Sequence, residues 1–190
     1  MAQEIEIEYK NLLTKEEFDR LLFAFPFPEQ PIIQTNHYFE TRNFALKDRQ
    51  SALRIREKNG KYQLTLKEPA AEGLLETHDS LTKEEAEDWL KGNIRGQHHT
   101  AKQLVKLGIS IDELVYHGSL VTARRECKYK DVLLVLDFST YHGTSDYEFE
   151  LEAPNAQIGQ QAFDQILTHL NIEHRTTPNK IQRFFSTLRS

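Results

Sequence analysis

The 190-residue sequence predicts an α+β fold: antiparallel strands, about eight of which can close into a β-barrel, with helices packed over their apolar faces. Three observations predict it. Several segments alternate strictly between charged and apolar residues. From Glu4 to Lys10, charge falls at 4, 6, 8 and 10 and apolar side chains at Ile5, Ile7 and Tyr9, the period of a half-buried strand. Asn59-Gly60 joins two such segments, and this dipeptide suits a tight hairpin turn because both positions favour φ > 0. Thr14-Lys15-Glu16-Glu17 and Thr82-Lys83-Glu84-Glu85 have the Thr-x-x-Glu form of a capping box, which opens a helix.

Strand one covers residues 3–10. The first helix presents Phe18, Leu21, Leu22 and Phe25 on one face and is ended by Pro26, Pro28 and Pro31. Residues 32–41 read as a strand, followed by a polar link ending at 47–50. Residues 51–58 and 61–67 form the hairpin, with Leu53, Ile55, Tyr62, Leu64 and Leu66 on its apolar side. Residues 73–80 are a further strand that places Glu76 and His78 on one face. A helix from Thr82 stops near Gly92, residues 93–100 are a loop, and a second helix from Ala101 ends at Gly108. These helices form a lobe over 82–108 between two β halves of a single domain, 1–190. Strands follow at 118–128, 132–138 and 147–152, the middle one apolar enough to be buried on both sides. Pro154-Asn155 opens a helix through Phe163, Ile166, Leu167 and Leu170, and Lys180 starts the last helix.

Composition excludes several classes. A net charge of −5 argues against a sequence-specific or general nucleic-acid binder. The single cysteine, Cys127, leaves no intramolecular disulfide and no thiolate zinc site, and fits a cytoplasmic location. No apolar run approaches the roughly 20 residues of a membrane span, and the acidic start shows no signal peptide.

The strand faces opposite the apolar ones are charged, and their signs are sorted. Acids line the strands near the two ends of the sheet-forming region: Glu4, Glu6 and Glu8, then Glu148, Glu150 and Glu152. Bases line strands between them: Arg54, Arg56, Lys67 and Arg124. Barrel closure would turn these faces inward. Mg²⁺ or Mn²⁺ would suit the carboxylates, and a polyphosphate the guanidinium and ammonium groups. That pairing suits phosphoryl transfer, where positioning and charge neutralisation dominate.

Glu6-Ile7-Glu8-Tyr9-Lys10 resembles the Glu-x-Glu-x-Lys signature of the CYTH superfamily, the triphosphate tunnel metalloenzymes. The resemblance continues in order along nearly the whole chain. It runs through Tyr38-Phe39-Glu40-Thr41, Leu53-Arg54-Ile55-Arg56, Leu64-Thr65-Leu66-Lys67, Glu76, Thr122-Ala123-Arg124, Asp137, Glu148 to Glu152, and Asn179-Lys180. Glu40 stands where the family has Asp, and His37 is a further departure; neither touches the main constellation, though either could alter the tunnel mouth.

The resemblance implies an eight-stranded tunnel that binds a small-molecule triphosphate with Mg²⁺ or Mn²⁺. It implies metal ligands at Glu6, Glu8, Glu150 and Glu152, with Asp137 and Glu148 as further ones. It implies phosphate contacts from Lys10, Arg54, Arg56, Lys67, Arg124 and Lys180, and Glu76 orienting a base. Glu6, Glu8, Lys10, Arg54, Arg56, Lys67, Arg124, Glu150 and Glu152 are the expected catalytic set. The implied reaction is metal-dependent triphosphate hydrolysis; a class IV-like adenylyl cyclase and a non-catalytic triphosphate or polyphosphate binder are the alternatives. The substrate's organic part and the oligomeric state are not fixed by the sequence.

Other residues have plainer readings. Lys128 and Lys130 form a solvated edge, His98-His99 an exposed loop pair, and Trp89, Phe184 and Phe185 core. Cys127 is inert, Arg125 is the competitor for the role of Arg124, and His78 either edges the cavity or is structural.

Overall fold

A computed structural model describes residues 3–95 and 99–188. Among them are nine strands: β1 (Gln3–Glu6), β2 (Glu8–Leu13), β3 (Ile32–Thr41), β4 (Ala52–Lys58), β5 (Lys61–Pro69), β6 (Leu74–Leu81), β7 (Leu114–Tyr129), β8 (Val132–Tyr141) and β9 (Thr144–Glu152). The helices are α1 (Lys15–Ala24), α2 (Ala45–Asp48), α3 (Lys83–Leu90), α4 (His99–Lys106), α5 (Ala156–His169) and α6 (Lys180–Thr187), with a 3₁₀ turn at Ile111–Glu113. The strands form one antiparallel sheet in the order β1-β6-β5-β4-β3-β7-β8-β9-β2.

The charged segment at the N-terminus is divided rather than continuous. β1 neighbours β6, β2 neighbours β9, and only Ile7 separates them. The two ends of the strand order are therefore consecutive pieces of chain. This raises the strand count from eight to nine without changing the antiparallel α+β class. The polar link after β3 holds the short helix α2, and β7 is longer than its charged core at 118–128.

The chain divides into two compact units. The first comprises residues up to Ile5 together with Gln34–Leu120. Its core joins Phe39, Leu53, Ile55, Leu64 and Leu66 of the sheet to Leu46, Ala86, Trp89 and Leu104 of the helices. Phe39 meets Trp89 edge-on, with ring centroids 5.3 Å apart. The hairpin turn is as its dipeptide requires, with Asn59 at φ 53° and Gly60 at φ 71°. Both capping boxes form: Thr14 caps α1 and Thr82 caps α3, each bonded reciprocally to the Glu three residues on.

The second unit comprises Glu6–Ile33 and the chain from Val121 onward. Leu134, Leu136, Phe149 and Leu151 of β8 and β9 pack against Phe18 and Leu21 of α1 and Phe163, Ile166 and Leu167 of α5. Phe149 and Phe163 stack with centroids 5.7 Å apart. α5 lies so close to β2 that a Cβ on Gly159 would sit 2.3 Å from Tyr9 Cε2, and the Tyr9 hydroxyl donates to the Ala156 carbonyl at 2.9 Å. No helix among the described residues is long and apolar enough to cross a membrane.

Glu40 is absorbed locally. It is buried, and its carboxylate accepts from the backbone N–H groups of Thr41, Leu46 and Lys47, tying down the start of α2. The carboxylate that departs from the family pattern is thus an anchor for a helix turn. His37 lies on the opposite face of β3 from Tyr38, and its Nδ1 is 3.0 Å from the Tyr116 hydroxyl.

Candidate functional site

Strand pairing places the charged residues of each unit on a common face, because side chains directly opposite one another point the same way. In the first unit, Arg54 lies between Tyr38 and Thr65, and Thr65 lies opposite His78. Arg56 lies between Asn36 and Gln63, and Lys67 lies opposite Glu76. Arg54, Arg56, Lys67, Glu76 and His78 therefore share one face. Lys67 is ion-paired to Glu76. The His78 ring joins this pair: Nε2 is 3.2 Å from Glu76 Oε2 and 3.1 Å from Glu4 Oε1, and Nδ1 is 3.0 Å from Thr65 Oγ1. Glu4, Glu76 and His78 bring three possible metal-ligating atoms within 4.8 Å of one another.

In the second unit, Glu8 lies opposite Glu152, Lys10 opposite Glu150, and Asp137 opposite both Arg124 and Glu148. Here sequence-distant charges interlock. Arg124 makes paired hydrogen bonds to Asp137 and reaches Glu150 Oε2 at 2.6 Å. Lys180, at the first turn of α6, lies 2.6 Å from Glu150, 2.9 Å from Glu148 and 2.9 Å from Asp137. Burial opposes charge on both cations, but these carboxylates hold Arg124 and Lys180 well above their usual values. Glu150 is likewise held well below the carboxylate range, Lys180 and Arg124 outweighing its burial. Lys10 pairs with Glu8 and donates to Asn179 Oδ1 at 2.7 Å.

Arg183 is the residue that sequence reasoning missed. It is buried one turn beyond Lys180, ion-pairs with Glu148, and meets Asp146 Oδ2 at 3.0 Å; Tyr141 donates to the same oxygen at 2.7 Å. The signal was present as the i,i+3 spacing of Lys180 and Arg183, which puts both on one side of a helix. Arg125, the competitor of Arg124, donates instead to the carbonyls of Pro28 and Glu29. Lys128 and Lys130 are exposed, Trp89 and Phe184 are core, and Cys127 is buried. His99 is exposed and its N–H donates to Asp79; His98 lies outside the described residues.

The acidic strands differ in how they are neutralised. Asp137, Glu148 and Glu150 face Arg124, Lys180 and Arg183. Glu152 does not share that balance. Burial, then Glu6, with Glu150 and Glu8 adding, pushes its carboxyl up to about 7, against the pull of Arg124. Burial is the largest cause, and the carboxylates that add to it leave Glu152 short of positive charge. Glu6, Glu8 and Glu152 offer only oxygen donors, the type a hard divalent cation takes, although among the described residues the three ligating groups that lie within 4.8 Å of one another are Glu4, Glu76 and His78.

The model of the CYTH domain matches residues 4–185 of this chain. The chain belongs to the CYTH family. A Bacillus subtilis (strain 168) CYTH relative, named "Putative triphosphatase YjbK", is 49% identical over 190 residues, spanning 100% of this chain and 98% of its own. The crystal structure of a Bacillus halodurans protein named as a "putative adenylate cyclase" superposes with a TM-score of 0.94 at 43% identity, covering 97% of this chain and 100% of that one. The Hippeastrum protein HpAC1 shares the CYTH fold at a TM-score of 0.80, with 24% identity over 96% of each chain.

Proposed function

We propose that this CYTH protein hydrolyses the terminal phosphoric anhydride of a triphosphate, inorganic tripolyphosphate or a small organic triphosphate, with a divalent cation, Mg²⁺ or Mn²⁺. The observation that carries this reading is the crowding of carboxylates in the second unit, where Glu8 lies opposite Glu152 with Glu6 and Glu150 near it. The 49% identical relative carries the name "Putative triphosphatase YjbK", which supports the same chemistry.

In this reading Glu6, Glu8 and Glu152, with Glu150, hold the cation, and Asp137 and Glu148 fix Arg124 and Lys180 beside it. When bound, the cation supplies charge neutralisation to the phosphate oxygens and acidity to a coordinated water. Arg54 and Arg56 take phosphate oxygens through paired N–H donors, and Lys10 and Lys67 act as point charges. Arg124 and Lys180 already hold carboxylates, so a phosphate oxygen has to compete with Glu150 for them. Water adds its oxygen to the terminal phosphorus, the bridging P–O bond breaks, and the leaving diphosphate keeps the electron pair. The bases stabilise the charge gathering on that leaving group. Proton removal from the water falls to a carboxylate of the site that does not hold the cation.

A second reading is cyclisation of a nucleoside triphosphate, which the adenylate cyclase name of the 43% identical Bacillus halodurans protein favours. The same charged residues would serve either nucleophile, water or a ribose hydroxyl. We favour hydrolysis because it needs no base-recognition pocket. The test is a turnover screen of tripolyphosphate, thiamine triphosphate, ATP and GTP with Mg²⁺ and Mn²⁺, with product identification. Phosphate release that is lost in Glu6→Ala and Glu150→Ala is expected. Cyclic nucleotide and pyrophosphate would establish the second reading. Binding without turnover would leave a sensor, and activity retained in both variants would overturn the site.

A further inference from the structure

We propose that His78 is a positioning residue for phosphate binding: through Nε2 it locks the Glu76 carboxylate, and Glu76 in turn fixes the ammonium of Lys67. The inference rests on the triphosphate-binding reading given above, in which Lys67 takes a phosphate oxygen.

Thr65 lies opposite His78 and Lys67 opposite Glu76, so β5 and β6 present two cross-strand pairs, one step apart on the same face. The result is a chain of four side chains: Thr65 to His78 at 3.0 Å, His78 to Glu76 at 3.2 Å, and Glu76 to Lys67. A lysine on four rotatable bonds is a poor anchor for a phosphate unless something fixes its end. Glu76 can do this only if its own carboxylate is held, and its two oxygens are divided between Lys67 on Oε1 and His78 on Oε2.

The protonation of the ring follows from its partners. Nε2 faces two carboxylates, which accept only, so Nε2 carries a proton. Nδ1 faces the Thr65 hydroxyl, which donates or accepts as the ring requires. Two acids compete for the Nε2 proton, and their surroundings decide between them. Nε2 hydrogen-bonds Glu4 Oε1 at 3.1 Å, but that side chain is 66% exposed and water screens the bond; Glu76 Oε2, 3.2 Å from Nε2, belongs to a side chain 6% exposed, where the electrostatic attraction of the N–H is worth more. His78 therefore acts mainly on Glu76.

Side-chain amides separate this role from simple packing. The amide nitrogen of Gln occupies the place of Nε2, and that of Asn the place of Nδ1. His78→Gln keeps the donor to Glu76, whereas His78→Asn keeps only the contact with Thr65. Kinetics with tripolyphosphate and Mg²⁺ on wild type, His78→Gln, His78→Asn and His78→Ala, each confirmed folded by thermal melting, supply the test. Losing the buried N–H contact with Glu76 raises KM by roughly tenfold in His78→Asn and His78→Ala, with a smaller change in kcat, while His78→Gln stays near wild type. Equal KM in Gln and Asn variants, whether both normal or both impaired, overturns the proposal, and this pair decides it even if His78→Ala does not fold. Calorimetric binding of tripolyphosphate separates the two inferences. A wild type that binds without turnover overturns hydrolysis alone, and the Gln–Asn difference is then read in Kd. A wild type that does not bind overturns both.

Discussion

Arg124 grips Asp137 through two parallel hydrogen bonds, Nε to Oδ1 at 2.8 Å and Nη2 to Oδ2 at 2.7 Å, and the same Nη2 lies 2.6 Å from Glu150. All three side chains are buried. A buried pair is costly to break from one side, because the remaining charge is left without compensation. Arg124→Ala and Asp137→Ala are each expected to destabilise the protein by about 3–5 kcal/mol. The double variant should cost less than the sum of the two. Urea unfolding in a double-mutant cycle checks this, and strict additivity would contradict the coupling.

Glu152 gives a pH dependence opposite in sign to that of an ordinary ion-paired carboxylate. Its carboxyl titrates at about 7 in the fold against an unperturbed 4.5, so folding favours the protonated form. This contribution is fully favourable below pH 4.5 and is lost as pH rises from there through 7. In chelator at pH 8, Glu152→Gln should therefore melt above wild type, by at most about 3 kcal/mol before solvent screening is allowed for. The difference should vanish near pH 4.5, the value from which the shift begins. Melting curves of both proteins across this range are the measurement.

The same carboxyl links metal to protons. Mg²⁺ or Mn²⁺ bound by Glu6, Glu8 and Glu152 requires ionised ligands, so binding at pH 6.5–7 should release protons. Calorimetry in buffers of different ionisation heat reads the number released, independently of any turnover. Wild type should release more than Glu152→Gln, and equal release would place the cation elsewhere.

Gly159 is required by packing. An added methyl would meet Tyr9 Cε2 at 2.3 Å and the Ala153 Cβ at 2.9 Å. Gly159→Ala should destabilise by about 1–3 kcal/mol despite the better helix propensity of alanine. Tyr9→Leu in the same background should recover part of the loss, read by chemical denaturation.

His37 is held below its usual pKa by burial, which outweighs the pull of Glu57. The neutral ring is favoured in the fold. Its contribution is therefore complete above the unperturbed 6.5 and is lost as pH falls below that value. His37→Phe should cost about 1 kcal/mol at pH 8, from the lost bond to Tyr116. It should lose less stability than wild type between pH 7 and pH 5, and parallel losses would show that His37 is not the group responsible.

Much of this architecture was legible in the sequence because strand periodicity is a local property. Charge at alternate positions of Tyr147–Glu152 marks a two-faced strand whichever neighbour it finds, whereas in Glu4–Lys10 the same alternation leaves Ile5 exposed on β1. Thr14 and Thr82 announce their helices through residues only three positions away. What alternation could not reveal is where one strand changes partners. The break at Ile7, which gives β1 to β6 and β2 to β9, leaves the charge pattern untouched. The short helix α2 was hidden for a different reason: its anchor, Glu40, lies outside it at the end of β3 and works through backbone N–H groups.

From residue order alone came the antiparallel α+β class, the sorting of acids and bases onto different strands, and the likeness to the CYTH family. Tertiary structure alone decided which charges neutralise which. It gave Glu148 to Arg183 and Lys180, left Glu152 crowded by Glu6 and Glu8, and set His78 between Glu76 and Thr65. The reason is range: alternation is fixed by neighbours two positions apart, whereas a carboxylate's partner and its pKa depend on groups brought close from more than a hundred residues away and on the water excluded between them.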